Sequence, residues 1–247
     1  MNQTAIVTGA NGGIGRALCE AFAATGYRVI GLDRIAWSPS SPGVTTIAVD
    51  LNVFASATPE RDDAVRALRQ AIGPDDLRVL VNNAAVQRLG ATGTITDADV
   101  AETFAVNVVA PLMLVQALLP DLERAGGSVV NIRSVHATAT KRGFVAYATS
   151  KSALSGLTRA LAVDLGGRVR VNGISPGAIA TPMLEAGFKC NAKARRQLDE
   201  AHPLGRVGLP AEVAAAAVFL ASKEASNITG QELRVDGGVS VRLHDPF

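Results

Sequence analysis

The sequence predicts a doubly wound α/β fold in a single domain, a parallel sheet with helices on both faces. Three observations carry that prediction. Short β-rich runs alternate with longer helical patterns from one end of the chain to the other. The runs are continuously apolar, as in Val79-Leu80-Val81, which suits strands buried on both faces. A glycine-rich turn, Gly9 to Gly15, joins the first run to the first helical stretch.

Taken in order, residues 4–8 form the first strand and 14–25 the first helix, with Gly26 as its C-cap. Strands follow at 28–33 and 45–50, then a helix at 59–72 and a strand at 77–82. A long apolar helix runs from 97 to 123 until Gly126-Gly127 breaks it. Residues 128–134 resume extended structure, 147–165 are helical and 168–175 extended. A helix at 211–222 and a strand at 232–236 complete the series. The segment from Thr181 to about Pro203 is the least regular and carries Met183, Leu184 and Phe188. Beside a site, such a piece reads as a mobile cover.

Composition narrows the function classes. Apolar residues make up 48% and aromatics only 4%, so the core is built from Ala, Val, Leu and Ile. The net charge of +2 is spread along the chain, with no Lys/Arg block of the kind that tracks nucleic acid. Cys19 and Cys190 give neither a disulfide framework nor a metal-ligand spacing. No leader or membrane-spanning segment is read, so a soluble cytoplasmic protein is the expectation.

The candidate site residues fall at the ends of the strands. Glycines between a strand and a helix permit a tight turn and bring a pyrophosphate close to the helix N-terminus. Asp33 ends the second strand, where an acid can bind the adenosine ribose hydroxyls. Asp50, ending the third, is a second candidate, for the adenine edge. Asn82-Asn83-Ala84-Ala85 follows the fourth strand; small residues there suit close passage beneath a cofactor, and turn chemistry explains them equally well. Asn107 lies inside an apolar helix four residues before Pro111, whose missing N–H frees the Asn107 carbonyl. That is either a site for water or an ordinary proline kink. Ser134 ends a strand, where its hydroxyl can donate to a substrate oxygen; His136 is two residues on, either structural or facing substrate.

Tyr147 and Lys151 share one helical face, one turn apart. A free tyrosine, with a pKa near ~10, is a poor base at neutral pH. A cation about 4 Å away, at an effective dielectric near 20, favours the phenolate by roughly 4 kcal/mol, or about three pKa units. The basic residues Lys189, Lys193, Arg195 and Arg196 read as a solvated helix face.

With these motifs assembled, the chain resembles the short-chain dehydrogenase/reductase family over nearly its whole length. The matching motifs occur in the family's order: Thr8-Gly-Ala-Asn-Gly-Gly-Ile-Gly15, Asn82-Asn-Ala84, Asn107, Ser134, Tyr147-x-x-x-Lys151, Pro176-Gly177 with Thr181, and Val235-Asp-Gly-Gly238. The resemblance implies a single Rossmann domain, commonly a homotetramer (or homodimer) joined through its long helices. It implies Tyr147 as general acid/base, Lys151 on the nicotinamide ribose and lowering the tyrosine pKa, Ser134 on the substrate oxygen, and Asn107 holding a relay water. Implied cofactor contacts are Gly9, Asn11, Gly12, Gly13, Ile14 and Gly15, then Asp33, Arg34, Asp50 and Leu51. Asn83, Ala84, Pro176, Gly177 and Ile179 join them, with Thr181 at the nicotinamide carboxamide.

The chain departs from the family pattern at three places. Ala85 replaces a common Gly, Arg133 replaces a small residue before Ser134, and His136 has no fixed family role. Strand alternation points Arg133 away from Ser134, towards packing or a subunit contact. The expected activity is NAD-dependent interconversion of a secondary alcohol and a ketone on a small-molecule substrate. Asp33 favours NAD over NADP, although Arg34 stands beside it. The rivals are an NADPH-dependent 3-oxoacyl-thioester reductase and a non-catalytic dinucleotide sensor.

Overall fold

The computed structural model describes residues 3–39, 41–189 and 191–243; Cys190 lies outside the described residues. The first half runs β1 (Gln3–Thr8), α1 (Gly13–Ala24), β2 (Arg28–Asp33), β3 (Val44–Ala48), α2 (Leu51–Phe54), α3 (Pro59–Ile72) and β4 (Asp76–Asn82). Next come α4 (Asp97–Phe104), a π turn (Ala105–Val109), α5 (Ala110–Ala125), β5 (Ser128–Ile132) and α6 (Val145–Leu165). β6 (Arg170–Pro176), α7 (Pro182–Phe188), α8 (Ala192–Ala201), α9 (Pro210–Ala221) and β7 (Glu232–Val235) complete it.

All seven strands are parallel in one sheet, ordered β3-β2-β1-β4-β5-β6-β7. The chain order reverses between β1 and β4, and that switch opens a crevice at the carboxyl ends of the strands. The continuous apolar runs follow from burial on both faces. Within β1, Ile6 joins a core with Leu114, Leu118 and Leu161. Its neighbours Ala5 and Val7 join the opposite core with Leu18, Phe22, Ala214 and Ala217. Each buried Leu, Val or Phe side chain contributes about 1.5–3 kcal/mol. With few aromatics, the second core closes by bringing α1 against the alanine-rich α9.

Several elements differ from expectation. The long helix is not uniform: the π turn interrupts it where Pro111 offers no N–H. By length and apolarity the stretch Asp97–Ala125 would reach across a membrane; here α5 packs on β4 and α4 on α6, as core helices do. The third strand stops at Ala48, because the Asp50 carboxylate accepts the Asn52 N–H at 2.8 Å and starts α2. The extended run expected at residue 168 begins at Arg170, since Gly166–Arg168 forms a 3₁₀ turn. The segment after Thr181 is helical instead of irregular. The Thr181 hydroxyl caps α7 with Pro182 at its first position, and Asn191 caps α8.

Candidate active site

The Gly9–Gly15 turn closes under the switch point. Gly9 has φ +62, and a Cβ there would lie 2.8 Å from the Ala84 Cα, so the first turn and the end of β4 meet backbone to backbone. Asn83 locks that meeting: its side-chain amide donates to the carbonyls of Thr8 at 2.8 Å and Gly9 at 3.1 Å. The Thr8 hydroxyl accepts from the backbone N–H groups of Asn83 and Ala84, both at 2.9 Å. Thr8, part of the glycine motif but given no role by it, is thus a structural member of the site.

The residues fit a dinucleotide. α1 begins at Gly12 with no side-chain cap and no acid in its first turn. In contrast, α3, α4, α7 and α8 each satisfy an amide with their own cap. The free N–H groups and positive end of α1 therefore suit a pyrophosphate. Asp33 lies at the rim, accepting the Asn11 N–H at 3.0 Å and the Ile35 N–H at 3.4 Å. Arg34 is exposed beside it. Arg16, not anticipated from sequence, donates to the Asn11 side chain at 2.6 Å. Asp50 and Leu51 stand where β3 gives way to α2, with the Asp50 carboxylate already engaged in its cap.

On the far side of the crevice, Gly177 donates to the Val235 carbonyl at 3.0 Å, just past Pro176 at the end of β6. Ile179 is buried and bridges to Gly208. Thr181 then rests on the glycine turn: a Cβ on Gly13 would fall 2.8 Å from its methyl group. Ile14 packs into the core behind the turn.

α6 supplies the reactive pair. Ser134, just beyond β5, faces the Tyr147 phenol and favours its charged form. The buried Lys151 amine donates to the Ile132 carbonyl at 2.8 Å and lies 5.7 Å from the Tyr147 ring centroid. Asn107, fully buried in the π turn, is held on all sides. It accepts the Val86 N–H at 2.9 Å and donates to the Val86 carbonyl and the Ser150 hydroxyl, each at 3.0 Å. Ser150 in turn donates to the Tyr147 carbonyl at 2.7 Å, linking the π turn to α6. The structure thus brings Asn107, Ser134, Tyr147 and Lys151 together. Any water held by Asn107 would bind its carbonyl, since the side chain is engaged.

Electrostatics revise one expectation. Burial raises the Tyr147 phenol above its ordinary value of 10.0, and Ser134 offsets this only in part. Burial also pushes the Lys151 amine down to about 7, with Arg133 adding to the effect. Lowering of the tyrosine by Lys151 is not seen here, and an amine only about half charged at neutral pH exerts a reduced pull on the phenolate. His136 stacks on Phe144, with centroids 4.4 Å apart, and meets Tyr147 edge-on at 6.0 Å. Its imidazole is pushed below its ordinary value by burial and by Lys141.

Comparison with known proteins agrees with this geometry. A family model described as Enoyl-(Acyl carrier protein) reductase matches residues 9–240. Galactitol 2-dehydrogenase (L-tagatose-forming) of Cereibacter sphaeroides is 39% identical, over 96% of this chain and 94% of that protein. D-threitol dehydrogenase of Mycolicibacterium smegmatis is 36% identical, over 97% of this chain and 94% of that protein. The solved aldohexose dehydrogenase of Thermoplasma acidophilum superposes with a TM-score of 0.91 at 32% identity, covering 100% of this chain and 97% of that one. The chain belongs to the short-chain dehydrogenase/reductase family and has its Rossmann fold. It is an oxidoreductase acting on CH–OH groups, in a family that uses NAD or NADP.

Proposed function

We propose that this protein is an NAD-dependent dehydrogenase that oxidises one secondary hydroxyl of a polyol or sugar to the ketone, and reverses the reaction. The observation that carries the proposal is the grouping of Ser134 and Tyr147 with the buried Lys151 amine, held on the Ile132 carbonyl, beside an uncapped helix N-terminus. The relatives that act on galactitol, threitol and aldohexoses support a polyhydroxylated substrate.

When bound, the nicotinamide takes up or gives the hydride. Tyr147 accepts or returns the hydroxyl proton, and Ser134 holds the substrate oxygen as charge develops on it. Lys151 donates to the nicotinamide ribose hydroxyls. Those new acceptors favour its charged form, and the ammonium then favours the phenolate. Asn107 passes the proton onward through a water on its carbonyl. Gly9, Asn11, Gly12, Gly13, Ile14 and Gly15 hold the pyrophosphate, and Asp33 accepts from the adenosine ribose. Asp50 and Leu51 border the adenine; Asn83, Ala84, Pro176, Gly177, Ile179 and Thr181 wall the nicotinamide side. Residues 181–203, with α7 and α8, cover the substrate. The protein works as a homotetramer, a reading supported by the exposed Val163 on α6 and Leu233 on the edge strand β7.

Arg34, next to Asp33 in the chain, and Arg16, bonded to the Asn11 side chain, give the second reading its footing: such residues suit a 2′-phosphate and an NADPH-dependent 3-oxoacyl-thioester reductase. A panel of polyols, sugars, hydroxy acids and steroids assayed for reduction of NAD and of NADP separates the two. Polyol oxidation with NAD is expected. Turnover confined to acyl thioesters with NADPH would overturn the proposal.

A further inference from the structure

Arg133 has no part in the reaction described above, yet it is one of the most deeply buried charges in the protein, with a side chain only 4% exposed. It stands between Ile132, whose carbonyl holds Lys151, and Ser134. Its side chain reaches α6 on one side and β7 on the other. Nη1 pairs with the Glu232 carboxylate of β7 at 2.9 Å. Nη2 donates to the Ser155 hydroxyl. Ser155 lies one helical turn beyond Lys151, and its hydroxyl donates to the Lys151 carbonyl at 2.9 Å.

The room for this side chain comes from Gly173 in β6, where a Cβ would fall 2.5 Å from the Arg133 Cδ. Glu232 is steadied in turn by the Ser175 hydroxyl. Nε of Arg133 is buried with no partner among the described residues. A buried ion pair with an orphaned donor is a poor way to stabilise a fold, because desolvation offsets its attraction. The arrangement calls for another role.

We infer that Arg133 is a positioning residue for Lys151: paired with Glu232, it forms a charged support under α6 that fixes the amine against Ile132 and sets the pH range over which that amine is charged. The groups around Lys151 can be taken element by element. α6 itself presents Tyr147, a neutral phenol. The turn after β5 presents Ser134 and His136, the latter shifted towards its neutral form. The π turn presents only the uncharged Asn107. β6 contributes Ser175, and β7 contributes Glu232 through Arg133. Arg159 and Arg234 act on Arg133 from further out. Burial lowers the amine most and the Arg133 guanidinium lowers it further; Glu232, paired with that guanidinium, opposes its field, so the amine senses the balance of the pair.

The sign follows from that opposition. Removing the guanidinium leaves the carboxylate and favours the ammonium. Neutralising the carboxylate leaves the guanidinium and disfavours it. The inference rests on Lys151 being the cation of the proposed site, but its test needs no substrate. In protein carrying 13C-labelled lysine, NMR follows the titration of the five lysines, and Lys151→Arg identifies the relevant signal. Arg133→Met should move the Lys151 titration up by about one pH unit, and Glu232→Gln should move it down by about as much. Arg133→Lys should restore the parent value closely. The pH dependence of dinucleotide affinity should shift in the same two directions. Shifts of one sign in both variants, or none, would overturn the inference. If Arg133→Met does not fold, Glu232→Gln decides alone, and an unchanged or raised titration there overturns it. Loss of the proposed polyol activity would leave this titration unaffected, so the two proposals fail separately.

Discussion

Tyr147 carries the proposed proton transfer, and Phe at that position removes one oxygen while keeping the ring that meets His136 and Phe144. Tyr147→Phe should cut turnover at least ~100-fold, the low end for general acid–base catalysis, with dinucleotide affinity little changed. A Phe variant with near-parent turnover would remove the central assignment. Asp33 carries the proposed choice of cofactor. Against a 2′-phosphate its carboxylate would exchange a charge-assisted hydrogen bond for repulsion, a difference of about 1.5–3 kcal/mol, so NAD should be preferred over NADP by about tenfold to a few hundredfold in kcat/KM. The carboxylate is held by two backbone N–H groups, whereas Arg34 is exposed and must reorient. Asp33→Ser should shrink the preference, with Arg34 and Arg16 then free to favour the phosphate. Equal use of both cofactors by the parent protein would show that the guanidinium groups dominate.

At the scale of elements, strands buried on both faces are the most legible part of the sequence. β2 falls on residues 28–33 as expected, and β1 and β4 each start one residue earlier than read. α3 matches at both ends because Thr58-Pro59 opens it and Gly73 closes it. α7 and α8 are less legible, since they bury no residue fully and only their caps mark them. The pairing of Tyr147 with Lys151 can be read from helical spacing, and their grouping with Asn107 and Ser134 from the family resemblance, but the charge state of Lys151 can be read from neither. Lysines are almost never fully buried, and nothing local in the sequence says that this one is. Ser150 escapes notice for a similar reason: a serine inside a helix carries no mark that it faces Asn107. The π turn depends on one surplus residue within Ala105–Val109. Deleting Val108 would remove that surplus residue and with it the bulge that carries Asn107. The Asn107 links to Val86 and Ser150 would go with it. The expected product retains its helical circular dichroism, melts earlier and loses about 100-fold or more in turnover, as small displacements in a site do. Parent-like turnover in that variant would make the π turn incidental.

At the scale of the whole molecule, β7 is an edge strand of the sheet. Leu233 on β7 and the following Val241 and Leu243 are 37%, 72% and 83% exposed, an apolar margin that suits burial by another copy of the chain. Light scattering should therefore give a mass near four times the 25.4 kDa of one chain; a monomer at micromolar concentration would contradict this. A second consequence comes from the contact between Thr181 and Gly13, which joins the two ends of the crevice. Because Thr181 caps α7, the segment proposed to cover the substrate is seated on the loop proposed to grip the pyrophosphate. Whatever settles that loop should also settle the cover under which the alcohol is proposed to lie. Kinetically, this makes the two reactants unequal: the dinucleotide should enter first and leave last. Reduced dinucleotide should then inhibit competitively against NAD and non-competitively against the alcohol, and calorimetry should detect no heat when alcohol is added to protein alone. Tight binding of alcohol without dinucleotide would mean that the two ends of the crevice assemble independently.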